Sequence, residues 1–336
     1  MSRIPVAVVG LTDGPEACAG ASLLHCLPAH RFLRIGIIAD AAEAGAHQPR
    51  LLDKVAHLPS PSDWSFLPAA LELIDALGVV AFLPGSVAIA QQLQRYAVDL
   101  AARGAVVVAA SGAEQLDQRF ATAAAKAALP MVERIALDSP DQAGRQPACL
   151  SGMLHNNLGM RKKCTDAWQA QRGAEKLADR HLWISPWNSQ HAFEAVVIPD
   201  AHGNVLASGS VRILADDDNL RPWMAVSVEN PELDALLERA CQQLHLDGPA
   251  HFLIQYSNSQ FKIASLQAGF PMWMEITRAA GPDLVGIALD YALGTAPPTV
   301  DRAQRLPAGI LFSQSAEDLV LNDEHPLAAQ LNSPQF

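Results

Sequence analysis

The chain has 336 residues, half of them apolar, and a formal net charge of −11. That length can bury a large core and divide into two or three domains. The acidic balance gives no electrostatic footprint for nucleic acid or for an anionic membrane, and no apolar run approaches the roughly eighteen residues of a membrane span. The opening Met1-Ser2-Arg3-Ile4-Pro5-Val6 leads into a strand rather than a signal peptide. Five cysteines, without C-x-x-C spacing, fit a reduced, cytoplasmic setting in which most of them pack as small hydrophobes.

Up to about residue 110, short β-rich runs alternate with helical stretches. Strands are predicted over 6–9, 34–39, 79–83 and 105–109, and helices over 16–26, 63–77 and 86–102, the second opened by an N-cap. Such alternation argues for a parallel sheet covered by helices, a Rossmann-like lobe. The first turn, Gly10-Leu11-Thr12-Asp13-Gly14, stands where a dinucleotide fold puts its phosphate loop, and Asp40 where it puts a ribose-binding acid. The spacing is not G-x-G-x-x-G, however, and Asp13 sets a carboxylate where a pyrophosphate would lie. Asp40 then reads as a strand-end turn residue, and a nicotinamide enzyme as a third reading of the chain.

Two short helices, over 113–116 and 119–129, end at Pro130, and a strand follows over 148–154. Asn156, Asn157, Gly159, Arg161, Lys162 and Lys163 read as a basic turn. Over 181–187, Trp183 and Trp187 flank Pro186 in a segment that either stacks on a purine or packs as a rigid hinge. His181 and His191 bracket it without a supporting metal ligand. A hairpin over 193–199 and 205–214 precedes Asp216-Asp217-Asp218, which is either a metal triad or a solvated acidic loop. Leu233, Leu236, Leu237, Ala240 and Leu244 stripe one face of a helix over 231–244. A second hairpin over 250–256 and 261–266, a helix over 284–293 stopped by Gly294, and a strand over 309–312 complete the chain. Trp223 and Trp273 read as exposed, suited to a contact between subunits.

The last third runs strand with Gln255, turn, strand, Gly-containing loop, Ala279-Ala280-Gly281, and a helix ending Ala292-Leu293-Gly294. This order resembles ATP-grasp enzymes, nearest the carbamoyl-phosphate-synthase-like and carboxylate–amine ligase branch. The resemblance implies an α/β and α+β architecture: a Rossmann-like pre-ATP-grasp lobe over 1–111, a small ATP-grasp-like lobe over 112–188 and a C-terminal ATP-grasp-like lobe over 189–336. It implies ATP clamped between the last two lobes and a carboxylate activated as an acyl phosphate. Arg212 then stands near the acyl phosphate and Glu194 faces ATP. Gly159, Lys162 and Lys163 stand for the mobile phosphate loop, and Gln255 belongs to the nucleotide side. Glu275 is either a displaced magnesium ligand or a surface or capping carboxylate.

The chain also departs from the pattern. Asp117-Gln118 replaces the family's Asp-Lys, and no lysine occurs from 127 to 161, where the resemblance places a phosphate-binding one. No Asp or Glu occurs from 248 through 274, so the Glu-x-Asn that holds magnesium becomes Ala264 and Leu266, or in the next register Ser265 and Gln267. These departures together predict a degenerate nucleotide and magnesium site and no cofactor. The protein would then be a non-catalytic partner, scaffold or small-molecule binder, beside an active ATP-grasp ligase or as a homo-oligomer. The alternative is a divergent active ATP-dependent carboxylate–amine ligase. It would use ATP and magnesium, with Glu275, Glu194 or Asp216 to Asp218 as ligands and Lys162 or Lys163 as the phosphate cation.

Overall fold

The structure, a computed structural model, describes residues 3–11, 19–39, 51–111, 120, 122, 124–145, 152–156, 159–177, 181–295 and 303–314. The first unit is a five-stranded parallel sheet of order β3-β2-β1-β4-β5. Its strands are β1 (Ile4–Val9), β2 (Phe32–Ile38), β3 (Lys54–His57), β4 (Ala81–Pro84) and β5 (Val106–Val107). In β1, Val6 and Val8 pack into one core cluster while Ala7 and Val9 pack into another. Both faces are therefore covered, and the strand reads as an unbroken apolar run. The helix Gly20–Cys26 covers one face and Phe66–Leu77 the other. Gly20 has to be glycine, since a Cβ there would lie 2.0 Å from the carbonyl oxygen of Gly10.

The lobe differs from the sequence reading in detail. The single helix expected over 86–102 is two, Val87–Arg95 and Ala97–Ala102, parted at Tyr96. Strand β3 was not anticipated, because its side chains are mostly exposed and carry no apolar pattern. Asp63 accepts hydrogen bonds from the Ser65 amide and hydroxyl in the turn before the helix starts at Phe66, and so shapes that turn. Asp13, Asp40 and the residues 112–119 lie outside the described residues.

The second unit is a four-stranded antiparallel sheet of order β6-β9-β7-β8. It comprises β6 (Ile135–Leu137), β7 (Gly152–Asn156), β8 (Arg161–Cys164) and β9 (Leu182–Pro186), with the helix Ala167–Leu177 packed on one face. The basic turn expected around 156–163 is thus a hairpin: Gly159, at φ 77°, makes the turn, while Lys162 and Lys163 are strand residues.

The third unit is a seven-stranded sheet of order β14-β13-β10-β11-β12-β16, with β15 beside β11. Its strands are β10 (Ala192–Pro199), β11 (Val205–Asp216), β12 (Pro222–Ser227), β13 (Ala250–Ser257), β14 (Gln260–Ala268), β15 (Gln304–Arg305) and β16 (Leu311–Ser313). The helix Pro231–Leu244 starts where expected. The Asn230 side chain accepts from the amides of Glu232 and Leu233, Pro231 opens the first turn, and the stripe is buried from Leu233 through Ala240, with Leu244 half-buried. Trp273 corrects the expectation of an exposed tryptophan. It is fully buried against the core, while Trp223 is 44% exposed. The thiols of Cys26, Cys164 and Cys241 are buried, and no described helix is long and apolar enough to cross a membrane.

Candidate functional site

Strand register decides which residues of the large sheet meet the small one, because directly opposed residues in an antiparallel pair share a face. Glu194 pairs with Val211 on one side and Leu253 on the other, and Leu253 pairs with Ser265. One step along, Val196, His251 and Gln267 are in line. This face looks at the small sheet, where Ala192, Leu253 and Ala264 pack with Met153 of β7 and with Trp187. The register leaves Ser265 and Gln267 on the cleft side and turns Leu266, paired with Phe252, to the opposite core.

Arg212 pairs with Phe193 and Val226, so it stands on the other face of the sheet from Glu194, and it is exposed. The two residues expected in catalytic roles, Glu194 facing ATP and Arg212 near the acyl phosphate, are therefore on opposite faces of the sheet. Glu275 opens the helix Glu275–Ala280 against the first unit: its amide donates to Ser22 Oγ at 2.9 Å and its Oε1 lies 3.5 Å from His25 Nδ1. It does not join the cleft residues. Gln255 is buried beside Ala192 and Lys262 on the cleft face.

Inside the cleft, Glu194 is 1% exposed. Trp273 Nε1 donates to its Oε2 at 2.9 Å, His251 Nε2 lies 3.4 Å from the same oxygen, and Arg161 Nη1 is 3.8 Å from Oε1. Burial pushes this carboxyl up, yet His251, Arg161 and the indole outweigh it and hold the group below the usual carboxylate range. Arg161 Nη2 also donates to Gln267 Oε1 at 3.3 Å, and Gln267 Nε2 donates to the Gly159 carbonyl at 2.8 Å. A strand of the small sheet is thus tied to two strands of the large one through buried polar groups.

The rest of β8 is tied down as well. Lys163 Nζ donates to Asp216 at 2.9 Å, Lys162 Nζ to Asp218 at 3.2 Å, and the Lys163 amide to the Asp218 carbonyl at 2.8 Å. Asp217 accepts from Arg221 Nε at 2.6 Å. The basic cluster and the acidic run therefore pair with one another. Among the described residues no group of three or more His, Cys, Asp and Glu side chains could hold a metal ion. His181 and His191 are both exposed.

Magnesium needs one or more carboxylate oxygens together with phosphate and water. The cleft face offers Leu253, Ser265 and Gln267 at the paired hairpin positions, and Glu194 accepts from Trp273 Nε1 and lies against His251 and Arg161. These residues do not fit the ion.

Sequence reasoning missed His155. It is fully buried on β7, its ring centroid 5.5 Å from that of Trp183, and neither ring nitrogen has a hydrogen-bond partner among the described residues. Burial first, then the charges of Arg134 and Arg161, push its pKa well below the usual imidazole value, so it is neutral. A lone histidine in an apolar strand gives no sequence signal of this.

The described residues also line cavities. One, at the hinge, has about 420 Å³ and is lined by Lys163, Trp187, Asn188, Ser189 and Gln190 among others. The second is small, about 30 Å³ for water-sized centres, and lies between Arg161, Glu194, Arg221, His251 and Gln267, with Val87 of the first unit closing one side.

A Rossmann-like sheet followed by an antiparallel sheet and a largely antiparallel one that meet at a shared cleft is the ATP-grasp fold. Biotin carboxylase from Campylobacter jejuni, solved in complex with beta-gamma-ATP, is similar to this chain with a TM-score of 0.65 at 14% identity, over 91% of this chain and 74% of that one. The biotin carboxylase domain of Hydrogenobacter thermophilus 2-oxoglutarate carboxylase, a dimer solved with MgADP, ADP and bicarbonate, gives 0.63 at 14% identity over 90% and 72%. L-amino acid ligase from Bacillus licheniformis gives 0.62 at 10% identity over 87% and 75%. No protein-family model matches the chain, and no curated protein matches it.

Proposed function

We propose that this ATP-grasp-like protein is catalytically degenerate and acts as a non-catalytic partner, scaffold or small-molecule binder beside an active ligase. The observation that carries the reading is the mutual pairing across the cleft. Arg161, Lys162 and Lys163, the cations nearest the phosphate-loop position, face Glu194, Asp218 and Asp216, the acids that could have replaced the magnesium ligands. Phosphoryl transfer relies on cations positioned for developing charge on the phosphate. Here the same groups neutralise one another. Arg212, on the far face, is open to a protein partner, and the dimeric state of the Hydrogenobacter relative makes self-association a second outlet for such a surface.

The hinge cavity favours the alternative, a divergent active carboxylate–amine ligase, because about 420 Å³ is within the range of a small-molecule pocket. In that reading Lys163, which lines the cavity, exchanges Asp216 for a phosphate, and Gly159, Lys162 and Gln255 serve the nucleotide. Release of phosphate from ATP, measured with magnesium over a panel of carboxylates and amines, separates the two. The proposal expects no release above background, and turnover that depends on one carboxylate and one amine would overturn it. If the chain is a partner, affinity capture from its own cells recovers an intact ATP-grasp ligase.

A further inference from the structure

The seven-stranded sheet turns one face away from the cleft, and that face is only half covered. The helix Pro231–Leu244 packs Leu233 and Leu237 against Val197 of β10, Phe252 of β13 and Ile263 of β14. Register carries the same face on across the remaining strands. Phe193, which packs with that cluster, is opposite Arg212 of β11, Arg212 is opposite Val226 of β12, and Val226 is opposite Leu311 of β16, the last strand in the order. Leu214 and Met224 join them by alternation, two residues from Arg212 and from Val226. Here the face is open: Leu311 is 59% and Leu214 43% exposed, and Val226 and Met224 are only partly buried.

The solvent side of an antiparallel sheet ordinarily alternates to polar residues. Four aliphatic side chains on neighbouring strand positions make a contiguous patch instead, and such patches mark contacts with other molecules. Charge selects the occupant. Arg212 is exposed, is the one charged residue among those aligned here, and has no ion-pair or hydrogen-bond partner among the described residues. A second copy docked through the same patch brings the same residues and therefore no acid, and each copy carries a net charge of −11. An acidic group on a different protein answers Arg212. Pro231–Leu244 shows which element fits, since a helix already forms the covering layer on the other half of this face.

We infer that the open half of this face docks an amphipathic helix of a partner protein, apolar towards Leu214, Met224, Val226 and Leu311 and carrying an Asp or Glu against Arg212. The inference rests on the reading of the chain as a partner or scaffold, and it names the chemistry by which the other protein is held. The cleft takes no part in it.

The test is fluorescence anisotropy of two labelled amphipathic helices of about 18 residues, one built of leucine and glutamate and the other of leucine and lysine, titrated with the full chain. The glutamate peptide is expected to bind saturably at a Kd of about 100 µM or tighter, although it and the chain are both acidic. Leu311→Asp and Arg212→Glu, at exposed positions that tolerate substitution, are each expected to weaken it roughly tenfold or more. Arg212→Glu leaves the lysine peptide bound at least as well as before. Arg212→Lys keeps most of the affinity, and Val98→Ala, on the helix Ala97–Ala102, leaves it unchanged. No saturable binding of the glutamate peptide, or equal binding by wild type and either weakened variant, overturns the inference. So does a wild-type dimer in sedimentation that Leu311→Asp splits, since the face then belongs to a second copy. No nucleotide is present in these measurements, so their failure leaves the degenerate reading to the phosphate-release assay, and turnover in that assay leaves the peptide result as it stands.

Discussion

At the residue scale, Glu194 and His155 are the buried titratable groups whose environments matter most. Glu194 is held ionised against its own burial by His251, Arg161 and Trp273. Removing one member of a buried ion pair leaves the other uncompensated, so Glu194→Gln is expected to cost about 3–5 kcal/mol in chemical denaturation. Arg212→Ala, at an exposed position, stays within about 0.5 kcal/mol. Equal small effects would mean that the cleft network carries no stability. Because the folded pKa of Glu194 is depressed, its contribution is complete above the unfolded value and is lost as pH falls through the folded one. His155 acts in the same direction at higher pH. The unfolded chain takes up a proton below about pH 6.5 and the folded one does not. Stability therefore declines as pH falls from 6.5 towards the lower folded value. His155→Leu is expected to flatten the decline in denaturation midpoint between about pH 7 and pH 5, and an unchanged slope would contradict the assignment.

At the element scale, β8 is where the two lobes are joined. Its apolar content is too low to read as a strand, since Arg161-Lys162-Lys163 carries no alternation, and the pairing with β7 and with the 216–218 turn defines it. The two lysine pairs differ in burial. The Asp216 side chain is 4% exposed and that of Asp218 is 86% exposed. Double-mutant cycles are expected to give a coupling of about 1 kcal/mol or more for Lys163 with Asp216, and close to zero for Lys162 with Asp218. A reversed order would show that burial does not govern these pairs. The helix Ala167–Leu177 escaped the sequence for a related reason. It buries only Ala170, Gly173 and Ala174, so it has no large apolar stripe to announce it. The helix Pro231–Leu244 and the hairpin of β13 and β14 were legible because cap, proline, stripe and turn residues all agree there.

At the scale of the whole molecule, the ATP-grasp architecture and most of its elements could be read from turn punctuation and resemblance, though not β3, β8 or the helix Ala167–Leu177. The site was legible only in part. Glu194 stood out as an acid on a strand, but its partners lie 33, 57 and 79 residues away at Arg161, His251 and Trp273, and no local pattern joins them. The faces of Arg212 and Glu194 likewise depend on strand register, which a one-residue slip reverses. What emerges is an ATP-grasp fold with a cleft whose charged groups answer one another.

The measurement that bears most directly on this account is calorimetric titration of the folded chain with a non-hydrolysable ATP analogue, with and without magnesium. The account predicts no saturable magnesium-dependent binding at protein concentrations where a Kd of about 100 µM would be detected. Micromolar binding that requires magnesium would contradict it, and would return Lys162, Lys163, Glu194 and Glu275 to the list of groups to be tested in an active ligase.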